Sequence, residues 1–436
     1  NGLGILAEIL GETPGEIGTT TFRPNYTPVT FGAIAGREIG PTFFDPVRKT
    51  AVHEWHVERG AEFEDVGQWK RPWYYPLPGE TINDAVQREC LATRESLGIL
   101  DASTLGKIEI RGTDAAEFLN RIYTNSWLKL EIGRCRYGLM LGEDGMVMDD
   151  GVTSRIGEDH YLMTTTTGGA AHVLAWMERW LQTEWPHLKV YLTSVTDHWS
   201  VTSVAGPNSR EVISRLCNDI DFSPDAFPFM SFHEGTVAGI PARVYRISFS
   251  GELAYEINVS ANVGQSLWES VMTAGQSFNI TPYGTEAMHV LRAEKGYIIV
   301  GQDTDGSVTP SDLGMDWIVS DTKDCIGKRS LSRQDTRREN RKQLVGLTTT
   351  NPALVLPEGA QLLNEPATEF PAPMVGHVTS SYFSPSLQRS IALALVKGGR
   401  SREGNEVYAQ LIDGRVITAE IGQPKFYDLE NQRQKM

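Results

Sequence analysis

The sequence has 436 residues, of which 40% are hydrophobic and 22% charged, so it can form about two to four domains with substantial cores. Its formal net charge of -15 argues against a nucleic-acid scaffold, and it has no apolar run long enough to cross a bilayer. The 4 cysteines lie far apart and form no CxxC pair. This spacing argues against the usual zinc sites and fits a reducing, cytoplasmic location.

The first 45 residues do not have the periodicity of a domain. Residues 2–7 (GLGILA) formally fit the dinucleotide fingerprint GxGxxA, but no strand precedes them, so we discount the match. The stretch that follows, TTTFRPNYTPVTFGAIAGREIGPTFFDP, is rich in proline and aromatic residues. We therefore expect residues 1–45 to be an extended connector from a region N-terminal to this sequence. Within it, we expect residues 15–45 to lie against a partner or another surface.

From residue 46 to about residue 335, helical and strand periods alternate, which predicts an α+β region. Helices are predicted at Ile82–Leu97, from Asp114 onwards, at about Ala170–Leu181 and at Gly284–Lys295, and a strand at Lys107–Arg111. Glu117 follows Asp114 by three residues, which predicts a capping box. His53 and His56 could share a helix face as metal ligands, but without further ligands nearby a structural role is the favoured interpretation.

The stretch GRCRYGLMLGEDGMVMDDG (Gly133–Gly151) predicts two strands joined by a tight turn at residues 143–145. It ends in the adjacent carboxylates Asp149 and Asp150. Neighbouring strand residues point to opposite faces, so one of the two can face inward. A buried carboxylate needs a cationic or hydrogen-bonding partner, which the protein or a ligand can supply. The spacing alone is equally compatible with a solvated strand end.

Two segments resemble each other, IRGTDAAEFLNRI (Ile110–Ile122) and VAGPNSREVISRL (Val204–Leu216). The similarity suggests two related α+β units, with chance resemblance of short amphipathic segments as the alternative. In the later strand AYEINV, alternation places Glu256 on the face opposite Tyr255 and Ile257. After a polar run, residues 336–436 predict a small all-β domain, either a barrel or a sandwich.

Six motifs occur in an order that resembles the glycine cleavage T-protein (aminomethyltransferase) family. They are FEDVGQWKRPWYY, ECLATRESLGILDASTLGKIEIRG, YGLMLGEDGMVMDDG, SFSGELAYEI, VLRAEKGYIIVGQDT and VGHVTSSYFSPSLQRSIALALV. The resemblance covers about residues 46–430. It implies an α+β, three-domain ring around a tetrahydrofolate channel, with two related α+β domains and a C-terminal β-barrel.

The resemblance also implies roles for residues of this sequence. Asp150, the second residue of the DD pair, would be catalytic, orienting the nucleophilic folate amine and stabilising the positive charge that develops there. The folate-binding residues would be Glu256, Phe249, Tyr137, Thr165 and Arg292. Two positions depart from the family pattern, since Phe249 replaces a tyrosine and Met288 replaces an arginine. These changes put in doubt the docking of an aminomethyl-lipoyl partner, while leaving the pterin-binding carboxylate intact.

The connector and the segment TTTTGG (Thr164–Gly169) resemble more closely the alpha-subunit family of heterotetrameric sarcosine oxidases. That resemblance implies a flavoprotein complex with beta, gamma and delta subunits. It implies FAD, FMN and NAD on those subunits or on the missing N-terminal region, with tetrahydrofolate in this chain. A free-standing aminomethyltransferase and a non-catalytic folate-binding assembly module remain as alternatives.

Overall fold

The computed structural model of the chain describes residues 46–367, 371–411 and 413–436, together with Ile9 and Gly11. The dinucleotide-like motif and the expected connector at residues 1–45 therefore lie outside the described residues, apart from those two. The first elements are α1 (His53–Glu58), β1 (Glu62–Val66), β2 (Trp69–Tyr74), α2 (Ile82–Glu95), β3 (Gly98–Asp101), β4 (Gly106–Arg111), α3 (Ala115–Ile122), β5 (Cys135–Leu141), β6 (Val147–Gly157), β7 (His160–Thr165), α4 (Ala170–Thr183) and β8 (Tyr191–Ser194).

The chain continues with a second run of strands and helices, and then with strands alone. The second run comprises β9 (Trp199–Ala205), α5 (Ser209–Leu216), β10 (Ser231–Val237), β11 (Ile240–Arg246), β12 (Ala254–Ser260), α6 (Gly264–Ala274), β13 (Thr281–Pro282) and α7 (Thr285–Glu294). The last strands are β14 (Lys342–Thr349), β15 (Gln361–Leu363), β16 (Gly376–Ser384), β17 (Arg389–Lys397), β18 (Glu406–Gln410) and β19 (Val416–Gly422).

The first sheet has the strand order β5-β6-β7-β4-β8 and is antiparallel throughout. Alternation along β4 places Ile108 and Ile110 on one face, where they share a buried cluster with Phe118 of α3 and Val173 of α4. The apolar residues at every second position of the strand and those on one stripe of each helix thus lie on the same side of the sheet. The opposite face of this sheet carries no covering helix from α3 or α4, and we call it the first inner face.

The second sheet has the strand order β10-β11-β12-β9-β3-β13, in which only the β3–β13 pair is parallel. Tyr255 and Ile257 of β12 share a buried cluster with Val212 of α5 and Trp268 of α6. Glu256 lies between them in sequence and therefore belongs to the opposite face, as the alternation predicted. We call that opposite face the second inner face.

The C-terminal strands form a closed barrel in the order β14-β17-β16-β15-β18-β19, completed by the pairing of β14 with β19. Its interior is apolar and includes Val345, Val378 and Ala394. The expected small all-β domain is therefore a barrel rather than a sandwich. The proposed boundary at residue 335 stays a prediction, and the first barrel strand begins seven residues later.

Each of the three units shares an apolar cluster with the other two, so that they close into a ring. The two sheets meet through β5, β6, β10 and β11. The first sheet meets the barrel through β5, β14 and β17, and helices α2 and α7 meet the barrel through β16 and β17. The residues that mark these three contacts are Val152 with Tyr245, Leu139 with Leu393, and Leu291 with Ile391.

The predicted helices and strands are confirmed to within two or three residues, with one local exception. Helix α3 follows Asp114 without the predicted capping box, because neither side-chain cap bond forms. Asp114 Oδ2 accepts a 2.7 Å bond from the Lys189 amide instead, and Glu117 pairs with Arg121 at 2.8 Å. A tertiary partner has replaced the local one.

The two similar sequence segments fold alike, as strand, glycine and helix. Gly112 links β4 to α3 with φ +131, and Gly206 links β9 to α5 with φ +130. A Cβ atom at Gly112 would lie 2.0 Å from the Lys189 carbonyl oxygen, and one at Gly206 would lie 2.4 Å from that of Ser96. Both turns require glycine for backbone conformation and for close approach. The similarity is therefore carried by equivalent geometry as well as by sequence.

Candidate functional site

The two inner faces are turned towards each other, because the helices of each sheet cover the outer side. Cys135 and Val152 from the first sheet pack with Tyr245 and Ile247 from the second. The Ser154 hydroxyl also lies 3.3 Å from the Tyr245 hydroxyl. Every second residue of β6, including Asp150, Val152 and Ser154, and the residue paired with Tyr245 on β12 therefore border the same space between the sheets.

The hairpin of β5 and β6 brings the aspartate pair to this space. Its turn includes Gly145 with φ +87, as the turn prediction required. Asp149 faces the interior and is almost fully buried. Its Oδ1 accepts bonds from the amides of Thr166 (3.1 Å) and Asp150 (2.7 Å), and its Oδ2 accepts one from the Thr166 hydroxyl (2.9 Å). The protein itself satisfies Asp149, which anchors the chain ahead of α4.

Asp150 points the other way and is half-buried. The Tyr137 hydroxyl on the neighbouring strand donates a 2.6 Å bond to Asp150 Oδ2. Burial, reinforced by the charge of Asp149, raises the pKa of Asp150 to about 7, while the bond from Tyr137 opposes the rise. The group can therefore gain or lose a proton near neutral pH. A carboxylate with such a raised pKa in a space between sheets is a candidate site residue.

Glu256 is the second half-buried carboxylate of the space between the sheets. It is paired in register with Tyr245 of β11 and with Ser203 of β9, which places the three on the second inner face. Within the part of the chain that the structure describes, its carboxylate accepts no hydrogen bond and makes no ion pair. Burial raises its pKa to about 7, and the positive charge of Lys107 opposes the rise. A ligand with paired N–H donors would complete this group.

Lys107 is a site residue that the sequence analysis missed. It begins the predicted strand β4, alternates with the core residue Ile108 and is 2% exposed. Its ammonium donates to the carbonyl oxygens of Ser103 (2.9 Å) and Leu105 (2.8 Å). Burial lowers its pKa to about 8. The strand gave little signal, because Lys107, Glu109 and Arg111 together have the pattern of an ordinary polar face.

The other residues expected at the site are distributed differently. The Phe249 ring is exposed and stacks on Tyr297, with ring centroids 6.2 Å apart. Thr165 is buried, and its hydroxyl donates to the Thr166 carbonyl at 2.9 Å. Arg292 is fully buried, and its guanidinium donates to protein atoms.

Arg292 connects helix α7 to the barrel. Its guanidinium pairs with Asp303 and donates to Ser380 Oγ at 2.7 Å and to the Tyr297 carbonyl at 2.9 Å. Ser380 lies on β16, so this buried bridge crosses from one unit to another. The guanidinium therefore supports the interface between units.

The possible metal pair has a different role in the structure. His56 is buried, and its ring nitrogens lie 3.1 Å from Asp101 Oδ2 and 2.9 Å from the Tyr75 hydroxyl. Both nitrogens are thus used within the fold. No group of three or more metal-ligating side chains occurs within the described ranges. None of the helices in those ranges is both long and apolar enough to cross a membrane.

Comparison with known families identifies the fold. Residues 52–323 match the family model of the GCVT N-terminal domain. The chain belongs to the glycine cleavage T-protein family. Residues 342–428 match the family model of the glycine cleavage T-protein C-terminal barrel domain, which contains β14 to β19. The resemblance drawn from the six ordered motifs is confirmed.

Individual members of the T-protein family differ in how much of this chain they cover. The chain is 58% identical over 435 residues to sarcosine oxidase subunit alpha of Corynebacterium sp. strain U-96, covering 99% of this chain and 45% of that protein. It is 28% identical over 381 residues to the aminomethyltransferase of Thermotoga petrophila, covering 87% of this chain and 98% of the relative. The chain thus spans about half the length of the sarcosine oxidase relative.

A solved T-protein structure has the same fold. The crystal structure of glycine cleavage system aminomethyltransferase T from Bartonella henselae superposes with a TM-score of 0.75 at 24% sequence identity. The superposition covers 88% of this chain and 98% of that one. The α+β architecture with a terminal barrel is therefore shared along nearly the whole length of the bacterial enzyme.

Proposed function

We propose that this chain is the tetrahydrofolate-binding part of a sarcosine oxidase alpha subunit. In this proposal a flavin site elsewhere in the complex oxidises sarcosine with oxygen. The one-carbon unit passes to tetrahydrofolate, giving glycine, 5,10-methylenetetrahydrofolate and hydrogen peroxide. The observation that carries the proposal is the pair of half-buried carboxylates, Asp150 and Glu256, on facing sheets. The 58% identity to a sarcosine oxidase alpha subunit over 99% of the chain supports the choice of reaction.

Glu256 fits the pterin end of the folate. A reduced pterin presents a ring N–H beside an exocyclic amine, and an ionised carboxylate offers two acceptors in one plane for them. Glu256 has this acceptor pair, lies between the sheets and has no bonding partner of its own within the described ranges. A charge-assisted pair formed there would fix the orientation of the pterin.

Asp150 fits the reacting end. Tetrahydrofolate, when bound, supplies the amine that takes up the one-carbon unit. Asp150 would orient that amine, hold or accept a proton near neutral pH and stabilise the positive charge that develops beside it. The hydroxyl of Tyr137 would keep the carboxylate in one orientation throughout.

The remaining expected residues take supporting places in this proposal. Phe249 offers an exposed aromatic face that a folate ring system could contact. Thr165 and Arg292, whose polar groups already bind protein atoms, would hold the walls of the site. In this proposal FAD, FMN and NAD would bind elsewhere in the complex, outside the residues of this chain.

A free-standing aminomethyltransferase is the second candidate function, because a relative of that name aligns over 98% of its own length. Against it stand Phe249 and Met288, which replace a tyrosine and an arginine of the family pattern. A non-catalytic folate-binding assembly module is the third. Asp150, poised to titrate near neutrality, favours a reaction over pure assembly.

Calorimetric titration of tetrahydrofolate against the full chain tests the binding step. Glu256→Ala should lose about 1.5–3 kcal/mol of binding free energy, the usual cost of a hydrogen bond to a charged group. Glu234→Ala is the control, since Glu234 lies on β10 with its carboxylate paired to Arg243 at 2.6 Å and exposed. Equal affinities for the chain and for Glu256→Ala would remove Glu256 from the site.

A product assay on the full complex separates the three functions. Asp150→Ala should leave peroxide production near normal, release the one-carbon unit as formaldehyde and slow formation of methylenetetrahydrofolate by about 10²–10⁴. An unchanged product ratio would favour the assembly module. Methylenetetrahydrofolate formed only from an aminomethyl-lipoyl donor would favour the free-standing aminomethyltransferase.

A further inference from the structure

The ammonium of Lys107 is held at the junction between the two sheets. Lys107 lies at the start of β4 in the first sheet, and the two carbonyls that it binds belong to the loop from β3 of the second sheet. An ammonium has three donors, so one remains after Ser103 and Leu105 are satisfied. Burying a charged ammonium costs free energy, because the group loses its hydration.

Glu256 is the carboxylate on the second inner face that this charge affects. Tyr245 and Tyr283 also face Glu256, as does Cys135 across the sheets, but burial raises the pKa of each well above neutral, so all three are uncharged. Arg243 of β11 also belongs to this face, but its guanidinium pairs with the Glu234 carboxylate at 2.6 Å. The positive charge of Lys107 opposes the rise in the pKa of Glu256. Asp101 and Asp197 act in turn on Lys107 and favour its ionised form.

We propose that Lys107 is a positioning residue that keeps the Glu256 carboxylate ionised and ready to receive the paired N–H donors of a reduced pterin. This inference rests on the proposed folate-binding function and deepens it. The geometry that supports it is an ammonium fixed by the loop that follows β3, together with a register in which Leu100 of β3, Ser203 of β9 and Glu256 lie side by side on the second inner face. Only the ionised carboxylate offers an acceptor to both pterin donors, because a protonated one presents its own O–H to one of them.

The inference predicts how folate affinity depends on pH. Affinity should fall as the pH drops through the pKa of Glu256, which lies at about 7. Without the charge of Lys107 that midpoint should rise by about one pH unit, since a nearby opposite charge stabilises the ionised form by that order. At pH 7.5 the affinity should then be about threefold weaker, approaching tenfold below pH 6.5, while at pH 9 it should be nearly restored.

Lys107→Gln is the test variant, because its amide can still donate to the carbonyls of Ser103 and Leu105. Lys107→Met is the second variant and removes the donors as well as the charge. Affinity of the full chain for 5-formyltetrahydrofolate, a stable reduced folate, is measured from pH 6 to pH 9. Infrared difference titration against Glu256→Gln gives the midpoint of the Glu256 carboxylate without any ligand.

A double-mutant cycle separates action through Glu256 from a structural role. If Lys107 acts through Glu256, then Lys107→Gln should weaken binding in the wild-type background but not in the Glu256→Gln background. An equal loss in both backgrounds, or an unchanged infrared midpoint in Lys107→Gln, would overturn the inference. Failure of the unaltered chain to bind the folate at any pH would instead overturn the proposed function, while the infrared midpoints would still decide whether Lys107 controls Glu256.

Discussion

The Tyr137 hydroxyl donates a 2.6 Å hydrogen bond to Asp150 Oδ2 across the β5–β6 hairpin. The two residues come from adjacent strands and share the first inner face, so the bond depends on strand register rather than on sequence proximity. It stabilises the ionised form of Asp150 against burial and the neighbouring charge of Asp149. The protonation state of the site is therefore adjustable through a residue that carries no charge of its own.

Tyr137→Phe removes that donor and should raise the pKa of Asp150 above its value of about 7. Formation of methylenetetrahydrofolate in the complex should then need a higher pH, with its midpoint displaced upwards by about 0.5–1 unit. The measurement is the yield of methylenetetrahydrofolate between pH 6 and pH 9. Tyr161→Phe is the matched control, because the buried Tyr161 hydroxyl has no bonding partner within the described ranges. Superimposable pH profiles for Tyr137→Phe and Tyr161→Phe would contradict the expectation.

Asp150→Asn should make the chain more stable at alkaline pH. The pKa of Asp150 is about 7 when folded against 3.8 as the ordinary value, so the folded state holds the extra proton between these values. Stability from this group is therefore present below about pH 4 and is lost as pH rises through 7. The free energy of unfolding in urea should fall between pH 5 and pH 8 by on the order of 2 kcal/mol more for wild type than for Asp150→Asn. Parallel pH profiles for the two proteins would refute this assignment.

Asp149→Ala should lower the free energy of unfolding of the chain. It leaves the Thr166 amide and hydroxyl without the acceptor that they share, in a buried position. The expected loss is about 2–4 kcal/mol in urea unfolding, because buried donors lose their partner. Asp144→Ala is the control, since Asp144 accepts one bond from Met146 in an exposed turn. A loss no larger than that of the control would show that Asp149 is not the anchor described above.

Arg292→Met tests the bridge between α7 and the barrel. Breaking a buried ion pair and leaving Asp303 uncompensated should cost about 3–5 kcal/mol in urea unfolding. Arg111→Ala breaks an exposed pair with Glu109 and should cost about 0–1 kcal/mol. Similar losses for the two variants would argue against a supporting role for Arg292 and reopen direct contact with the folate.

The face of a strand on which each side chain lies could be predicted from the sequence, and the prediction was correct for Asp149, Asp150 and Glu256. It placed Glu256 opposite Tyr255 and Ile257, and it set Asp149 and Asp150 on opposite faces. The sequence could not predict which of the two aspartates accepts hydrogen bonds from the protein itself. The partner of Asp149 is Thr166, which lies in the turn after β7 and is distant in sequence. Spacing within one element determines a face, whereas the partner on that face is a property of the assembled fold.

Contacts between distant segments account for what the sequence did not reveal. The predicted capping box of α3 does not form, because the Asp114 carboxylate accepts a hydrogen bond from the amide of Lys189, 75 residues away. Lys107 was overlooked because its charge acts on Glu256 from a different sheet, a relationship that no local sequence pattern contains. The ordered motifs compensated for part of this gap, since the resemblance implied a barrel rather than a sandwich and assigned a role to Asp150, which local pattern had not done.

The ring of three mutually packed units has a thermodynamic consequence. Each unit has its own apolar core, yet each also covers apolar side chains of the other two. Detaching any one of them would expose two interfaces at once, which couples the stability of all three. The chain should therefore melt in a single cooperative transition, and damage to the barrel should loosen the space between the sheets without altering a single residue there.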